Sequence, residues 1–581
     1  MNGSREPGSG SRRFEVQVHD AGDSAILLEL EPVIDPAVNA RAVAIATAIR
    51  DRRLEGVRDI VPTYRSVAIH FDPLTCDIDS LRDTMREAAA SPRVSSSGSL
   101  VEVPVAYGGD DGPDLDDVAA FAKAPAKTVI DRHCGPEYRV FMLGFLPGFA
   151  YMGIVDESIA APRKATPRTR IPAGSVGIAG RQTGVYPRRS PGGWQLIGRT
   201  SLQVFDPTRE PASLFRAGDR VKFSPVAGAF GARAEVSRAA HISSSASHEG
   251  LRHRGTMPDR CVTVIRPGLF TTIQDSGRWG YQDRGVPVSG PMDRQAHRLA
   301  NALIGNASEA AVLEATLLGP ELRFEQPTLI AVAGADLEAT VDAKPVAVDM
   351  PHRVKSGGIL RFGARQSGTR AYIAISGGIE VPPVLGSRST HVVSGLGGMD
   401  GRALKAGDQL ALGSCNTQRS NSNHLEREPL RFARHMTGNR TAHGALLRIM
   451  RGPQDYYFEE STFEWLTRTR FSVSPQSDRM GYRLVAGSSR IPNSESRIPT
   501  GSMISDAAFT GGVQIPPSGD PILLMADRQT TGGYPQIATV ITADLPFAGQ
   551  LAPGDWMEFA WCTRLEAIAA LRQQEEAFGA R

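Results

Sequence analysis

Four times in this chain a glycine-centred turn leads straight into an alternating strand: LFRAGDRVKF (214–223), VKSGGILRF (354–362), LKAGDQLAL (404–412) and LAPGDWMEF (551–559). A turn followed by period-2 alternation is how a half-buried strand begins. Its recurrence at the close of several segments predicts repeated β-barrel modules. LIGRTSLQVFDP (196–207) and LLGPELRFEQP (317–327) echo one another in the same way. The 60 glycines and 40 prolines among 581 residues agree, because such abundance in an ordered chain means many tight turns and hence β-rich domains. The length allows roughly four structural units. A hydrophobic content of 41% with 22% charged residues excludes global disorder. Lys+Arg 65 against Asp+Glu 62 leaves +3, which argues against a dedicated nucleic-acid binder.

Residues 1–13 read as a disordered leader. Over 14–95, FEVQVHDAGDSAILLELE supplies two strand runs, Asp35-Pro36 opens the helix DPAVNARAVAIATAIR, and SVAIHFDP and DSLRDTMREAAA add a strand and a helix. This alternation predicts a small α+β domain, ended by Ser95-Ser96-Ser97-Gly98. Residues 99–225 read as a barrel of Gly/Pro-punctuated strands with two short helical stretches. A low-complexity linker containing SSSAS follows at 226–260. A first barrel unit of the second half at 261–415 contains the helix MDRQAHRLANALIG. A linker at 416–440 then precedes a second unit at 441–581, which closes with the helix RLEAIAALRQQEEAF. The fold class expected is mainly β with α+β.

Cys76, Cys134, Cys261, Cys415 and Cys562 lie far apart, with no CxxC and no Cys/His cluster. This argues against a disulfide framework and a structural zinc site, so no metal site is expected. MNGSREPGSGSRR has no apolar core, and no apolar run approaches the length of a membrane span. A cytoplasmic protein without membrane or nucleic-acid partners is expected.

Three glycine-punctuated segments concentrate the chemistry. The first runs from Phe141-Met142-Leu143-Gly144-Phe145-Leu146-Pro147-Gly148 into residues 165–200, where Arg168, Arg170, Arg181, Arg188, Arg189 and Arg199 accompany Gln182, Tyr186 and Trp194. Arginine presents a planar fork to carboxylate or phosphate, and glycine lets the backbone approach a ligand. The same composition also fits a solvated cationic face over structural turns. The second is Thr271-Thr272-Ile273-Gln274-Asp275-Ser276-Gly277-Arg278-Trp279-Gly280-Tyr281 followed by DRGVPVSGPMD. Here Asp275, Asp283 and Asp293 are potential bases, while Gln274, Arg278 and Tyr281 are donors able to polarise a carbonyl. Asp293 fits a helix N-cap better than a base. Ser289 lacks the flanking glycine of a nucleophile elbow, which argues against a hydrolase triad. The third, Ala526-Asp527-Arg528-Gln529-Thr530-Thr531-Gly532-Gly533-Tyr534, follows the apolar run PILLM. Its polar residues either line a barrel mouth or form a surface turn with an Asp–Arg pair. His391 fits a hydrogen-bonded structural histidine, with acid/base work second. There is no GxxxxGK[ST], no HExxH and no Met-Lys-Met biotin carrier.

YRVFMLGFLPGFAYMG and ATPRTRIPAGSVGIAGRQTGVYPRRSPGGWQLIGRT resemble the characteristic text of the B subunit of bacterial 5-oxoprolinase, the allophanate hydrolase subunit 1 family. RPGLFTTIQDSGRWGYQDRGVPVSGPMD, SDRMGYRL and ADRQTTGGYPQIATVITADLP resemble the C subunit, the allophanate hydrolase subunit 2 or biotin-dependent carboxyltransferase family. The resemblance spans nearly the whole chain outside the leader and linker and implies a natural B–C fusion. It implies a small α+β domain followed by cyclophilin-like β-barrels.

It also implies an activity. Together with a separate A subunit, the chain would open the cyclic amide 5-oxo-L-proline to L-glutamate, with Mg-ATP as co-substrate bound at an unassigned place. Two alternatives share these domains. One is the carboxyltransferase part of a urea carboxylase, with biotin carried by a partner chain. The other is a Kip-type regulator of a histidine kinase. Under the leading reading Asp275, Asp527 and Tyr281 are the expected catalytic groups. Arg168, Arg170, Arg199 and Arg278 bind anionic groups, Gln182, Tyr186, Gln274 and Tyr534 orient the amide, and Arg528 and Gln529 bridge the halves. Arg181 stands where relatives carry a small residue, which alters the local charge. Homo-oligomerisation is left open.

Overall fold

The computed structural model describes residues 16–94, 98–227, 260–414, 440–441, 443–487, 491 and 503–579. The expected leader, and all but the edges of the linkers expected at 226–260 and 416–440, lie outside these residues. Among the described residues no helix is long and apolar enough to cross a membrane.

The chain opens with a four-stranded antiparallel sheet: Gln17–Asp20, Ala25–Glu29, Val57–Pro62 and Ser66–Phe71, in spatial order first, second, fourth, third. Helices Pro36–Arg52 and Ile78–Ala90 cover one face. Asp35 caps the first helix by accepting from Ala37 N and Val38 N at 2.7 and 3.2 Å, and Asp77 caps the second. Ile26, Leu28, Ile45, Ile49, Leu81 and Met85 fill the space between the layers. AILLE and SVAIHF do not alternate because both faces of their strands are buried. The opposite face, with Leu27, Val61 and Ala68, packs on Ala507 and Phe509 from the far end of the chain.

Seven strands between Leu100 and Pro225 form a closed barrel. It closes where Arg220–Pro225 pairs in parallel with Leu100–Tyr107. A second seven-stranded barrel closes by the same device, Gly444–Arg451 pairing in parallel with Trp556–Trp561. Between them, residues 261–414 differ from the single barrel unit expected there. A seven-stranded and a five-stranded sheet pack around one core that includes Val262, Leu313, Leu322, Val332, Ile373 and Leu410. Here Cys261–Arg266 meets Gln409–Leu412 antiparallel, so no parallel first–last pair closes a cylinder. Helix Arg294–Leu303, capped by Asp293 through Ala296 N (2.9 Å), covers the outside of the five-stranded sheet.

The recurrent Gly-Asp turn has one construction. Gly218, Gly407 and Gly554 all adopt positive φ, near 90°. The aspartate after each accepts from the backbone N–H three residues earlier: Arg216 N to Asp219, Lys405 N to Asp408 and Ala552 N to Asp555, at 2.8, 2.7 and 2.8 Å. Each aspartate's own N–H returns a bond to the carbonyl of that same residue. Each turn therefore launches its strand with its local polar groups satisfied.

The two halves dock through buried carboxylates that accept mostly neutral donors. Asp23 accepts from Thr542 N and Oγ1, and Asp506 from Ser66 and Thr63. Glu29 accepts from Tyr456 and from Arg65, and Asp59 from Gly280 N, Gln282 N and Gln282 Nε2. Burial pushes Glu29 up to about 7, with Asp506 adding to the rise and Arg65 opposing it. Burial likewise raises Asp59 to about 6 and raises Asp23. Acids that hold protons more tightly in the folded state stabilise it fully below their ordinary values, near 4. That contribution is lost as pH rises through about 6 for Asp59 and 7 for Glu29. At ~1.4 kcal/mol per pKa unit, Asp59 accounts for about 3 kcal/mol of this loss. The melting temperature is therefore expected to fall between about pH 5 and pH 7, and to fall less in Asp59→Asn. Equal slopes in thermal melts of the two proteins would show that Asp59 ionises normally.

Candidate active site

Three turns meet where the halves join. The first follows strand Tyr138–Leu143 and is wedged between the other two. A Cβ on Gly144 would lie 1.8 Å from Thr531 Oγ1, and one on Gly285 2.5 Å from the Leu146 carbonyl oxygen. Gly148 N donates to the Arg284 carbonyl at 2.9 Å. Backbones pack here at distances that only glycine permits, so the glycine-rich text of each segment reflects contact with the others. The second turn follows strand Phe270–Gln274, and the third follows Ile522–Leu524.

Behind the junction lies a buried ion network. Arg479 holds Asp527 in a two-pronged pair (2.8 and 3.0 Å), binds Glu314, and donates to the Gly290 carbonyl (2.7 Å). Glu314 also accepts from Met292 N (2.9 Å) and the Tyr372 hydroxyl (2.7 Å). Burial alone would raise Asp527, but the Arg479 charge and its hydrogen bonds, together with the neighbouring Ser289, hold the carboxyl below its ordinary value. Asp275 is similarly occupied. It accepts from Ser387 Oγ (2.5 Å), Ser389 Oγ (2.7 Å), Arg388 N (2.5 Å) and Gly277 N (3.0 Å). Burial opposes these bonds, yet they keep its pKa low. Both aspartates were expected as catalytic groups, Asp275 as a potential base. Their engaged oxygens and lowered pKa values suit them instead to positioning: Asp275 orders the loop carrying His391, and Asp527 orders the third turn. His391 Nδ1 accepts from Ser394 N (3.2 Å), and burial keeps the ring neutral.

Two guanidiniums at the junction are buried with donors to spare. Arg278 binds the carbonyls of Ser389 and Val384, leaving Nη1 without a partner. Arg528 donates to Gln282 Oε1 (2.7 Å) of the same half, leaving Nε and Nη1 without partners. Each is 1% exposed. Burial lowers both pKa values, Arg528 to about 10, which leaves them charged and ready for an anionic oxygen.

Tyr151 lies beside Thr531 and Gln182 beside the Tyr64 hydroxyl, and the Tyr64 hydroxyl and Thr531 Oγ1 have no hydrogen-bond partner among the described residues. Tyr64, Tyr151, Phe149, Tyr186 and Trp194 share one aromatic cluster. Gln529 and Gln514 bring their amide nitrogens together over Gly532. The structure thus gathers Gln182, Tyr186, Arg278, Asp527, Arg528 and Gln529. Other expected residues stand apart or are otherwise engaged. Arg168 forks onto Asp114 (2.6 and 2.8 Å), Arg199 bonds the Ala173 carbonyl and lies 3.8 Å from Asp111, and Arg170 is exposed. Gln274 points into the core of its own unit, onto Thr272 and the Thr390 carbonyl. Tyr281 stacks under Arg284, and Tyr534 is exposed.

Sequence reasoning missed Asp59, Tyr64, Tyr151, Gln282, Glu314 and Arg479. Tyr151, Gln282 and Arg479 stood inside the characteristic segments. Asp59, Tyr64 and Glu314 carry no local signal. Hydroxyls, amides and spare guanidinium donors surround the junction, while its aspartates are committed. The chemistry this favours is orientation of an amide and neutralisation of negative charge rather than proton abstraction by a free carboxylate. Among the described residues, no group of three or more His, Cys, Asp or Glu is placed to hold a metal ion.

The family model described as carboxyltransferase domain, subdomain C and D, matches residues 16–215, and that described as subdomain A and B matches residues 284–561. The second half is 37% identical over 317 residues to the C subunit of 5-oxoprolinase from Escherichia coli K12, covering 55% of this chain and 96% of that protein. The first half is 42% identical over 219 residues to the B subunit of 5-oxoprolinase from Bacillus subtilis, covering 36% of this chain and 91% of that protein. The solved structure of TTHA0988 superposes with a TM-score of 0.76 at 32% identity, covering 94% of this chain and all of that one.

Replacing Arg479 with Met would strand two buried carboxylates, so a loss of about 3–5 kcal/mol is expected in denaturant unfolding. Gly144→Ala is expected to cost about 1–3 kcal/mol through its clash with Thr531. Adding Thr531→Gly should recover part of that loss, and no recovery would place the clash elsewhere.

Proposed function

The chain belongs to the carboxyltransferase-domain family of 5-oxoprolinase subunits, a B-type half followed by a C-type half in one polypeptide, and on that premise we propose that it opens 5-oxo-L-proline to L-glutamate. It does so with a separate A subunit, consuming ATP and water. The observation that carries this reading is that the characteristic segments of both halves meet at one junction, where Gly148 N donates to the Arg284 carbonyl and Gly144 packs against Thr531. A site assembled in this way requires B and C together.

A lactam resists hydrolysis because its C–N bond has partial double-bond character. Transfer of the ATP γ-phosphoryl group to the lactam oxygen removes that protection and releases ADP. Water then adds to the activated carbon, the C–N bond breaks with the proton going to the freed amine to leave an acyl phosphate, and a second water displaces phosphate to give the carboxylate. In this scheme Arg278 and Arg528 offer their unpartnered N–H groups to the substrate carboxylate or the transferred phosphoryl oxygens. Gln182, Gln529 and the Tyr64 and Tyr151 hydroxyls orient the lactam, while Asp275 and Asp527 fix the loops that carry these groups. The buried arginines fit phosphate oxygens. The described residues offer no cluster of acids for magnesium, so Mg-ATP is assigned to the A subunit or to the interface with it. Cys76, Cys134, Cys261 and Cys562 are free thiols, in keeping with a cytoplasmic enzyme.

The test is glutamate and ADP formation from 5-oxo-L-proline and Mg-ATP by this chain mixed with its cognate A subunit. Both products are expected together, and only in the mixture. Arg528→Met with an unchanged fold is expected to lower kcat/KM by about 10- to 100-fold, the loss of one or two charge-assisted bonds. A well-folded pair that releases no glutamate would overturn the reading in favour of carboxyl transfer, tested next with carboxybiotin and urea-like amides.

A further inference from the structure

On the far side of loop 276–292 from the first barrel lies a cavity of about 420 Å³, within the range of small-molecule sites. Its walls come from the N-terminal sheet, that loop, the start of helix Arg294–Leu303, the second barrel and the C-terminal helix Arg564–Gly579. Arg58, Trp279, Arg294, Gln295, Phe509 and Phe578 define its character.

The charges on the wall leave one cation over. Arg58 pairs with Asp72 (2.5 Å) and lies over the Trp279 ring at 5.0 Å. Arg298 forks onto Glu575 (2.5 and 2.8 Å) and covers the Phe578 ring at 4.2 Å. The Asp293 carboxylate beneath is committed to Ala296 N and to Gln550 Nε2 (2.8 Å). His70 is driven neutral by burial, with Arg528 adding to the effect. Arg294 makes no hydrogen bond or ion pair among the described residues, and its surface is open to the cavity. Surrounding protein lowers its pKa to about 10, helped by Arg58 and Arg298, so it stays charged at neutral pH. Beside it Gln295 is 5% exposed with neither amide atom partnered. The buried Gln295 amide lacks a partner among the described residues, and the exposed Arg294 guanidinium beside it has none either, so a polar, anionic ligand in the cavity would complete both.

We infer that this cavity binds an organic monocarboxylate with a flat apolar body. Its carboxylate sits on Arg294, its polar edge on the Gln295 amide, and its body against Trp279 and Phe509. The excess of a single positive charge favours a monoanion over a nucleoside triphosphate. The cavity wall includes neither Arg528 nor Gln282, and the inference does not depend on the activity proposed for those residues. Since its walls come from both halves, occupancy also holds the halves together.

The probe is 2-naphthoate, with the neutral isostere 2-naphthamide as control, titrated calorimetrically into the full chain and followed by thermal melts. Naphthoate is expected to bind one to one and to raise Tm, with 2-naphthamide at least tenfold weaker. Arg294→Gln should weaken naphthoate at least tenfold, Arg294→Lys less, and Gln295→Leu several-fold. Should Arg294→Gln fail to fold, the acid–amide difference in the parent chain and the Arg294→Lys variant decide the matter. Equal binding of acid and amide, binding indifferent to both Arg294 variants, or no binding of millimolar naphthoate to the parent chain would each overturn the inference.

Discussion

The second half of this molecule is organised around Arg479, whose guanidinium serves two carboxylates and a carbonyl on two different structural units. Burying one cation and two anions carries a large desolvation cost, and it is tolerated because nearly every lone pair and N–H in the cluster is used. The network reaches further through Tyr372, which donates to Glu314 and accepts from Asp293 N. Gln550 binds Asp293 on one side and the backbone of Thr369 and Arg370 on the other. Two β-units and the start of one helix are thereby held in register by polar contacts. Specificity of arrangement is what such a network supplies, since apolar packing alone would permit sliding.

The contact between halves obeys a different rule. Its buried carboxylates, Asp23, Glu29, Asp59 and Asp506, take mainly hydroxyl and amide donors, with Arg65 on Glu29, while the pairs Arg564–Asp20 and Arg50–Asp283 lie nearer its rim. The buried part of such an interface is selective without being strongly ionic. Joining the halves covalently raises their effective concentration for one another, so a modest interface suffices.

Much of the fold was legible because the signals are local. The Gly-Asp turns, the Asp35 and Asp293 caps and the alternation of half-buried strands each depend on residues within a few positions of one another. AILLE and SVAIHF read as strands, but nothing near them names Ala507 and Phe509 as the cover of one face. The two-sheet form of 261–414 turns on whether a first strand meets its last in parallel, which no local pattern records. Site residues were legible as types and not as partners. Arg168 reads as a ligand-binding fork until Asp114 is found beneath it, and Asp275 reads as a base until Ser387 and Ser389 are seen to use its oxygens. Arg528 was expected between the halves, but the side chain it bonds is Gln282 of its own half, 246 positions away.

A barrel sealed by its first and last strands stays open during synthesis until the last strand emerges. The strand at Leu100–Tyr107 must wait for Arg220–Pro225, and Gly444–Arg451 for Trp556–Trp561. The earlier barrel can therefore be complete before the later one has begun to form. The N-terminal sheet then bears an apolar face with no cover of its own until Ala507 and Phe509 arrive. For most of the time the chain is on the ribosome, that face is a sticky intermediate surface, open to chaperones and to misassembly with a neighbouring nascent chain. Placing both halves on one polypeptide ensures that the correct cover is always made next, on the same chain.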